Sequence, residues 1–140
     1  MFSKTSEYAI KIMIYLSAYS DKNNLRQVKE ISDSLESPEA FTAKILQQLA
    51  KVGLLYSMKG KNGGFTVGRE VNKIKIYDIV IAIDGEKSVS ACILGLNECS
   101  TENPCPLHHK YYKIKALIKE NILEANLDDL KNKLKYLKLR

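Results

Sequence analysis

Cys92, Cys99 and Cys105 fall within fourteen residues of a 140-residue chain that has no other cysteine, and Cys105 opens the run Cys105-Pro106-Leu107-His108-His109, which holds both histidines. Thiolate and imidazole are the side chains that iron, zinc and copper prefer, so this grouping points to a single metal or redox centre. An odd number of thiols is poor disulfide material in a reducing compartment. The spacing is C-x6-C-x5-C-x2-H. Structural zinc sites usually contain closer cysteine pairs, whereas wide gaps suit a loop wrapped around something larger. An iron-sulfur cluster therefore ranks above zinc, with a thiol switch and incidental cysteines as the remaining readings. Cys105 and His108 stand three residues apart at a helix start and would share a face, where the helix N-terminus favours thiolates.

The elements that must position this segment are legible from periodicity. Tyr8, Ile12, Leu16 and Tyr19, widened by Ala9 and Met13, predict a helix from about Ser6 to Tyr19. After the polar stretch Ser20 to Asn24, Val28, Ile31 and Leu35 mark a short second helix. Ser37 is a suitable N-cap, with Pro38 at the first helical position and Glu39 complementing the positive helix end. The third helix then buries Phe41, Ile45, Leu49 and Val52 and stops at Gly53. Leu54 to Met58 and Phe65 to Val67 read as strands around Lys59-Gly60-Lys61-Asn62-Gly63-Gly64, with Asn62-Gly63 suited to a type I′ turn.

Helix, turn, capped helix and basic hairpin in that order form a winged helix-turn-helix, a DNA-reading architecture. Beyond it, Ile76, Ile79, Val80 and Ile83 mark a helix closed by Asp84-Gly85, and residues 86–104 lack periodicity and read as a loop to be ordered by its ligand. Leu107, Tyr111, Ile114, Ile118, Ile122 and Ala125 predict a helix of about five turns. Leu127, Leu130, Leu134 and Leu137 give a last one from Asn126. The expected fold is mainly α, with a small β-hairpin wing and a long C-terminal dimerisation helix. It divides into a DNA-binding part over 1–70 and a part over 71–140 that carries the cluster-binding loop and dimerisation helices.

Twenty-two Lys and Arg against sixteen Asp and Glu leave a net charge of +6, which favours a polyanionic partner through counterion release. No stretch approaches the roughly 18 apolar residues of a membrane span, and Met1 to Glu7 has no hydrophobic leader region, so a cytoplasmic protein without membrane contact is expected. No phosphate loop, nucleophile-base constellation or carboxylate pair emerges, which argues against an enzyme. Ser37, Thr42, Lys44 and Gln47 on the third helix, with Lys59 and Lys61 of the wing, are the expected contacts to a double-stranded DNA operator. The long apolar stripe beyond the wing needs a cover, and a second copy of the same helix is the natural one.

Over nearly its whole length the chain resembles the IscR/NsrR-type regulators (the Rrf-two superfamily), bacterial winged helix-turn-helix repressors and activators, many of which sense an iron-sulfur cluster. The resemblance rests on Glu7-Tyr8-Ala9, Leu49 to Gly53, the wing from Lys59 to Phe65, Ile79 to Asp84, the three cysteines and the long final helix. It implies that Cys92, Cys99 and Cys105 bind the cluster. His108 occupies the place of the histidine of IscR-like members, which hold a 2Fe-2S centre, and is favoured as fourth ligand. Glu7 aligns with the acidic residue that NsrR-like members supply from the partner subunit, often to a 4Fe-4S centre. Lys59 stands where relatives often carry a minor-groove arginine, and Ala43 replaces the acidic specificity residue of IscR-like recognition helices, so the operator sequence is not transferable. A zinc-bound or cluster-free thiol-redox regulator is the alternative.

Overall fold

The computed structural model describes residues 2–133. Helix α1 (Lys4–Tyr19) starts where the Ser3 hydroxyl accepts the Ser6 backbone N–H at 3.0 Å. Its faces bury Ala9, Ile12, Met13 and Leu16, which makes it the central element of the core. Around it pack α3 (Glu39–Lys51), α4 (Ile76–Asp84), α7 (Leu127–Lys133) and strand β2 (Gly64–Val67). Helix α2 (Val28–Ser34) adds Ile31 and leans on α3. The core is continuous across position 70, because Ile74, Ile79, Leu123 and Leu127 join Ile45, Leu46 and Leu49 in it.

Helix α3 begins one residue later than its sequence suggests. Pro38 has extended geometry (φ −59°, ψ 133°), and its carbonyl accepts the Thr42 backbone N–H at 3.0 Å, so Pro38 and not Ser37 is the cap residue. The Ser37 hydroxyl instead bonds the Thr42 hydroxyl at 2.6 Å, and Thr42 also donates to the Pro38 carbonyl. Val52, expected in the buried stripe, lies past the last turn and is exposed, whereas Leu46 is buried. Gly53 takes φ +79° and reverses the chain into the wing.

The wing pairs β1 (Leu55–Met58) antiparallel with β2, from Leu55 opposite Val67 to Met58 opposite Gly64. Five residues connect them, closed by a bond from the Gly63 N–H to the Gly60 carbonyl at 3.0 Å. The expected two-residue type I′ turn at Asn62-Gly63 is therefore not formed. That turn requires φ > 0 at both positions, and Glu36 is the one non-glycine residue with positive φ among the described residues. Arg26 and Phe65 exchange both backbone hydrogen bonds, at 3.0 and 2.8 Å, so the chain ahead of α2 docks as a short third strand.

Beyond the wing, α4 ends at Gly85 (φ +80°), and its last residue reaches back to α1. The Asp84 carboxylate accepts hydrogen bonds from the hydroxyls of Ser3, at 2.6 and 2.8 Å, and Ser6, at 2.7 Å, placing negative charge at the positive end of α1. The segment expected to be wholly loop contains a four-residue helix, α5 (Lys87–Ser90). Helix α6 (His108–Ile118) does not run on in α-geometry to Ala125. It passes into a π-helical stretch (Lys119–Leu123), whose extra residue rotates the following side chains. Leu123 consequently enters the core at 5% exposure while Ile122 stays outside at 38%. Backbone bonds from Ile76 to Ala125 and from Leu127 to Ile74, with the Lys75–Glu124 ion pair, then fasten α7 beside α4. Leu134 and Leu137 of the expected terminal helix lie outside the described residues.

Gly64 has φ +145°, and a Cβ there would stand 2.5 Å from the Arg26 carbonyl oxygen. Gly64→Ala should destabilise the fold by about 2 kcal/mol and loosen the wing, read as a lower urea midpoint. A midpoint equal to that of the wild type would contradict this close approach of strand to strand.

Candidate functional site

Two surfaces gather the residues capable of chemistry. On the first, α3 exposes Lys44, Gln47 and Lys51. Gln47 and Lys51 line one wall of a groove of about 570 Å³ whose other walls are Gln27 and Val28 at the start of α2 and Met58, Lys59 and Phe65 of the wing. The Gln27 amide donates to the Lys61 carbonyl at 3.4 Å, tying the wing tip to α2. Lys59 and Lys61 are exposed at that tip. A recognition helix flanked by a basic wing thus presents ammonium groups along one open channel, the electrostatic form that suits a phosphate backbone.

Thr42 departs from the expected contact set. It is only 1% exposed, and its hydroxyl is occupied by Ser37 and Pro38, so its role is to hold the start of α3. Burial follows from helical phase, since Thr42 lies three and seven residues before Ile45 and Leu49. Ser37 is half-buried and spends its hydroxyl on Thr42, while Lys44 lies nearer α1 and α4, beside Thr5, Ile83 and Asp84. Lys51 and Gln27 were missed by sequence reasoning. Lys51 had a signal, because it follows Gln47 by four residues and so shares its face. Gln27 had none, since only the docking of the wing brings it there.

The second surface is the cysteine segment. Cys92 is buried, and Cys99 and Cys105 are partly so; all three are free thiols. Hydrogen bonding from the Leu94 backbone N–H holds the Cys92 thiol below its ordinary value against the opposing effect of burial, helped by the Leu96 N–H, the Cys105 side chain and the charge of Lys115. Cys99 Sγ stands 3.5 Å from His108 Nδ1. His108 is the first residue of α6, 3% exposed, with its ring stacked on Tyr112 at 5.8 Å and edge-on to His109 at 5.5 Å. His109 is exposed. Of the expected ligands the structure brings Cys99 and His108 into contact, with the Cys105 side chain near enough to Cys92 to favour its thiolate. Among the described residues no three His, Cys, Asp or Glu side chains converge closely enough to hold a single metal ion. Glu7, in the first turn of α1, pairs with Lys4 at 3.0 Å.

None of the described helices is long and apolar enough to cross a membrane. The family described as Rrf2, an iron-dependent transcriptional regulator, matches residues 2–133. The chain is 35% identical over 134 residues to a helix-turn-helix-type transcriptional regulator of Aquifex aeolicus (strain VF5), covering 94% of this chain and 92% of that protein. It is 26% identical over 128 residues to the transcriptional regulator NsrR of Oceanobacillus iheyensis, covering 91% and 86%. Its fold is similar to that of CymR, the global cysteine regulator of B. subtilis, with a TM-score of 0.79 at 23% identity over 95% of this chain and 97% of that one. T. potens IscR shares the fold with a TM-score of 0.73 at 21% identity, over 95% and 87%. A winged helix-turn-helix with an open basic channel, matched by one family along all its described length, is a DNA-binding transcriptional regulator and not an enzyme: the chain belongs to the Rrf2 family.

Proposed function

We propose that this protein is a cytoplasmic, homodimeric regulator whose grip on a DNA operator is set by an iron-sulfur cluster bound through Cys92, Cys99, Cys105 and His108. In this reading residues 1–70 read the DNA, and residues 71–140 carry the cluster-binding loop and dimerisation helices. What carries it is the chemistry of the donor set: Cys99 stands 3.5 Å from His108 at the first residue of α6, Cys105 lies three residues before that histidine, and the backbone N–H groups of Leu94 and Leu96 favour the thiolate of Cys92. Amide donors directed at sulfur suit a thiolate ligand of a negatively charged centre. His108, held at Cys99, supplies the fourth donor and favours a 2Fe-2S centre; Glu7 of the partner subunit, with a 4Fe-4S centre, is the second arrangement.

When bound, the cluster supplies a redox-active and oxygen- or nitric-oxide-labile centre. The chain's own residues do the rest. Histidine binds iron less tightly than thiolate and protonates more readily, so a mixed ligand set keeps the site labile. Leu117, Ile114 and Tyr112 leave more than half of their surface in solvent along α6, and a second copy of that helix is the partner that would bury it. A change in the cysteine segment then biases the separation of the two α3 helices across the dimer. Cys92 beside Cys105 supports a second reading, thiol oxidation without a cluster, and iron and sulfide analysis separates the two.

Reconstituted without oxygen, the wild-type protein should take up iron and sulfide and absorb in the visible. Cys92→Ala, Cys99→Ala and Cys105→Ala should each lose most of both signals, and retention of either by all three variants would sink the cluster assignment.

The DNA surface has its own test. Lys59→Ala combined with Lys61→Ala should weaken operator binding and flatten the dependence of log K on log salt by about 2, since each phosphate contact contributes about 0.9. Adding Lys51→Ala should flatten it by about one more. An unchanged slope in the triple variant would remove this channel from the interface.

A further inference from the structure

We infer that Lys115 is a positioning residue that fastens the cysteine segment to α6 and so links the sensing site to the dimerisation helix. The inference rests on the reading of residues 92–108 as the sensing site. Its ammonium donates to the carbonyls of Ser90 at 2.8 Å and Ala91 at 3.2 Å, the two residues immediately before Cys92. Seven residues earlier on the same helix, His108 holds Cys99 at 3.5 Å. Seven residues turn an α-helix through about 700°, within about 20° of two full turns, and advance it roughly 10 Å. The two contacts therefore lie on one face of α6 and grip the segment at both ends. A rotation or shift of α6 cannot leave residues 90–99 in place, and a rearrangement of that segment pulls on α6 at two points.

The chemistry at the Lys115 end is specific to a charge. Among the described residues no carboxylate pairs with it. Its partners are the carbonyls that end α5, where a cation is favoured, and the Tyr111 ring, whose centroid is 5.2 Å from the ammonium. The positive charge thus lacks a carboxylate counter-ion beside the first cysteine of the set, and sulfur-borne negative charge is what would balance it. Lys119, one turn further along, is exposed and makes no such hydrogen bond to the segment.

The test compares Lys115→Met, Lys115→Gln, Lys115→Arg and Lys119→Met in the full-length protein. In the metal-free form, hydrogen exchange of the amides of residues 91–96 is followed by mass spectrometry. Lys115→Met should exchange there on the order of tenfold faster, with α1 and α3 unaltered, while Lys115→Arg and Lys119→Met behave as wild type. In anaerobically reconstituted protein, Lys115→Met and Lys115→Gln should lose iron to a chelator several-fold faster, and Lys115→Arg should restore the rate. Exchange and iron loss at wild-type rates in Lys115→Met would overturn the inference, as would equal effects from Lys119→Met. Should Lys115→Met fail to fold, Lys115→Gln and Lys115→Arg decide the matter by the same two readouts. If the wild type takes up no iron, the cluster reading falls while the exchange comparison still tests the fastening.

Discussion

Everything in this fold depends on burying α1 from several sides at once. Ile12, Met13 and Leu16 have no exposed surface, and each such side chain contributes about 2 kcal/mol on leaving water. The helix can be covered only if the DNA-reading elements and the C-terminal elements close on it together. Ile45, Leu46 and Leu49 come from α3, Ile79 from α4, and Leu123 and Leu127 from the far end of the chain. A small domain has little core to spare, so the orientation of α3 is tied through α1 to whatever moves α4 and α7. Asp84 reinforces that tie, because one carboxylate at the end of α4 serves two hydroxyls at the start of α1.

The wing is positioned by backbone bonds as well as by the burial of Leu55 and the Thr66 hydroxyl, which bonds Ser20 at 2.8 Å. Arg26 and Phe65 exchange hydrogen bonds, Gly64 lets their strands approach, and the Arg26 guanidinium donates to the Tyr19 carbonyl at 2.8 Å. Lysines at the tip are thereby free to serve as phosphate contacts while the strand geometry holds the channel beside α3 open. Division of labour of this kind is common in DNA readers: rigid main chain sets register, and long cationic side chains adapt.

The cysteine segment is built the other way. Few apolar residues anchor it, and Ile93, Leu94 and Leu96 remain about half exposed beside the buried Cys92. Its order comes from polar contacts to α6 and from amide groups directed at sulfur. Segments with little buried apolar surface sit at the low end of local stability. Near it, the π-helical stretch breaks the α-helical phase, so that α6 presents one apolar set to solvent while Leu123 turns into the core.

The sequence by itself determined the order of elements, their helical or extended character, the basic wing and the concentration of thiols, because each of these is a local pattern: a period, a glycine, a run of charges or a spacing. The wing's existence was legible in Leu54 to Val67, and Lys44, Gln47, Lys59 and Lys61 are exposed in the structure. The burial of Thr42 was not legible because a helical wheel cannot say how wide a buried face will be, and three neighbouring helices make that of α3 wide enough to enclose a threonine. The type I′ turn is replaced by a five-residue connection, in a hairpin whose second strand also bridges Arg26 through Phe65, a pairing of residues distant in the chain and invisible to a local motif. Tertiary structure alone decided that Gln27 and Lys51 share a channel, that Asp84 binds the Ser3 and Ser6 hydroxyls at the start of α1, that Cys99 meets His108, and that Lys115 stands beside the segment leading to Cys92. Each is a contact across elements: the burial of α1 brings the first two together, and the packing of the cysteine segment on α6 the others.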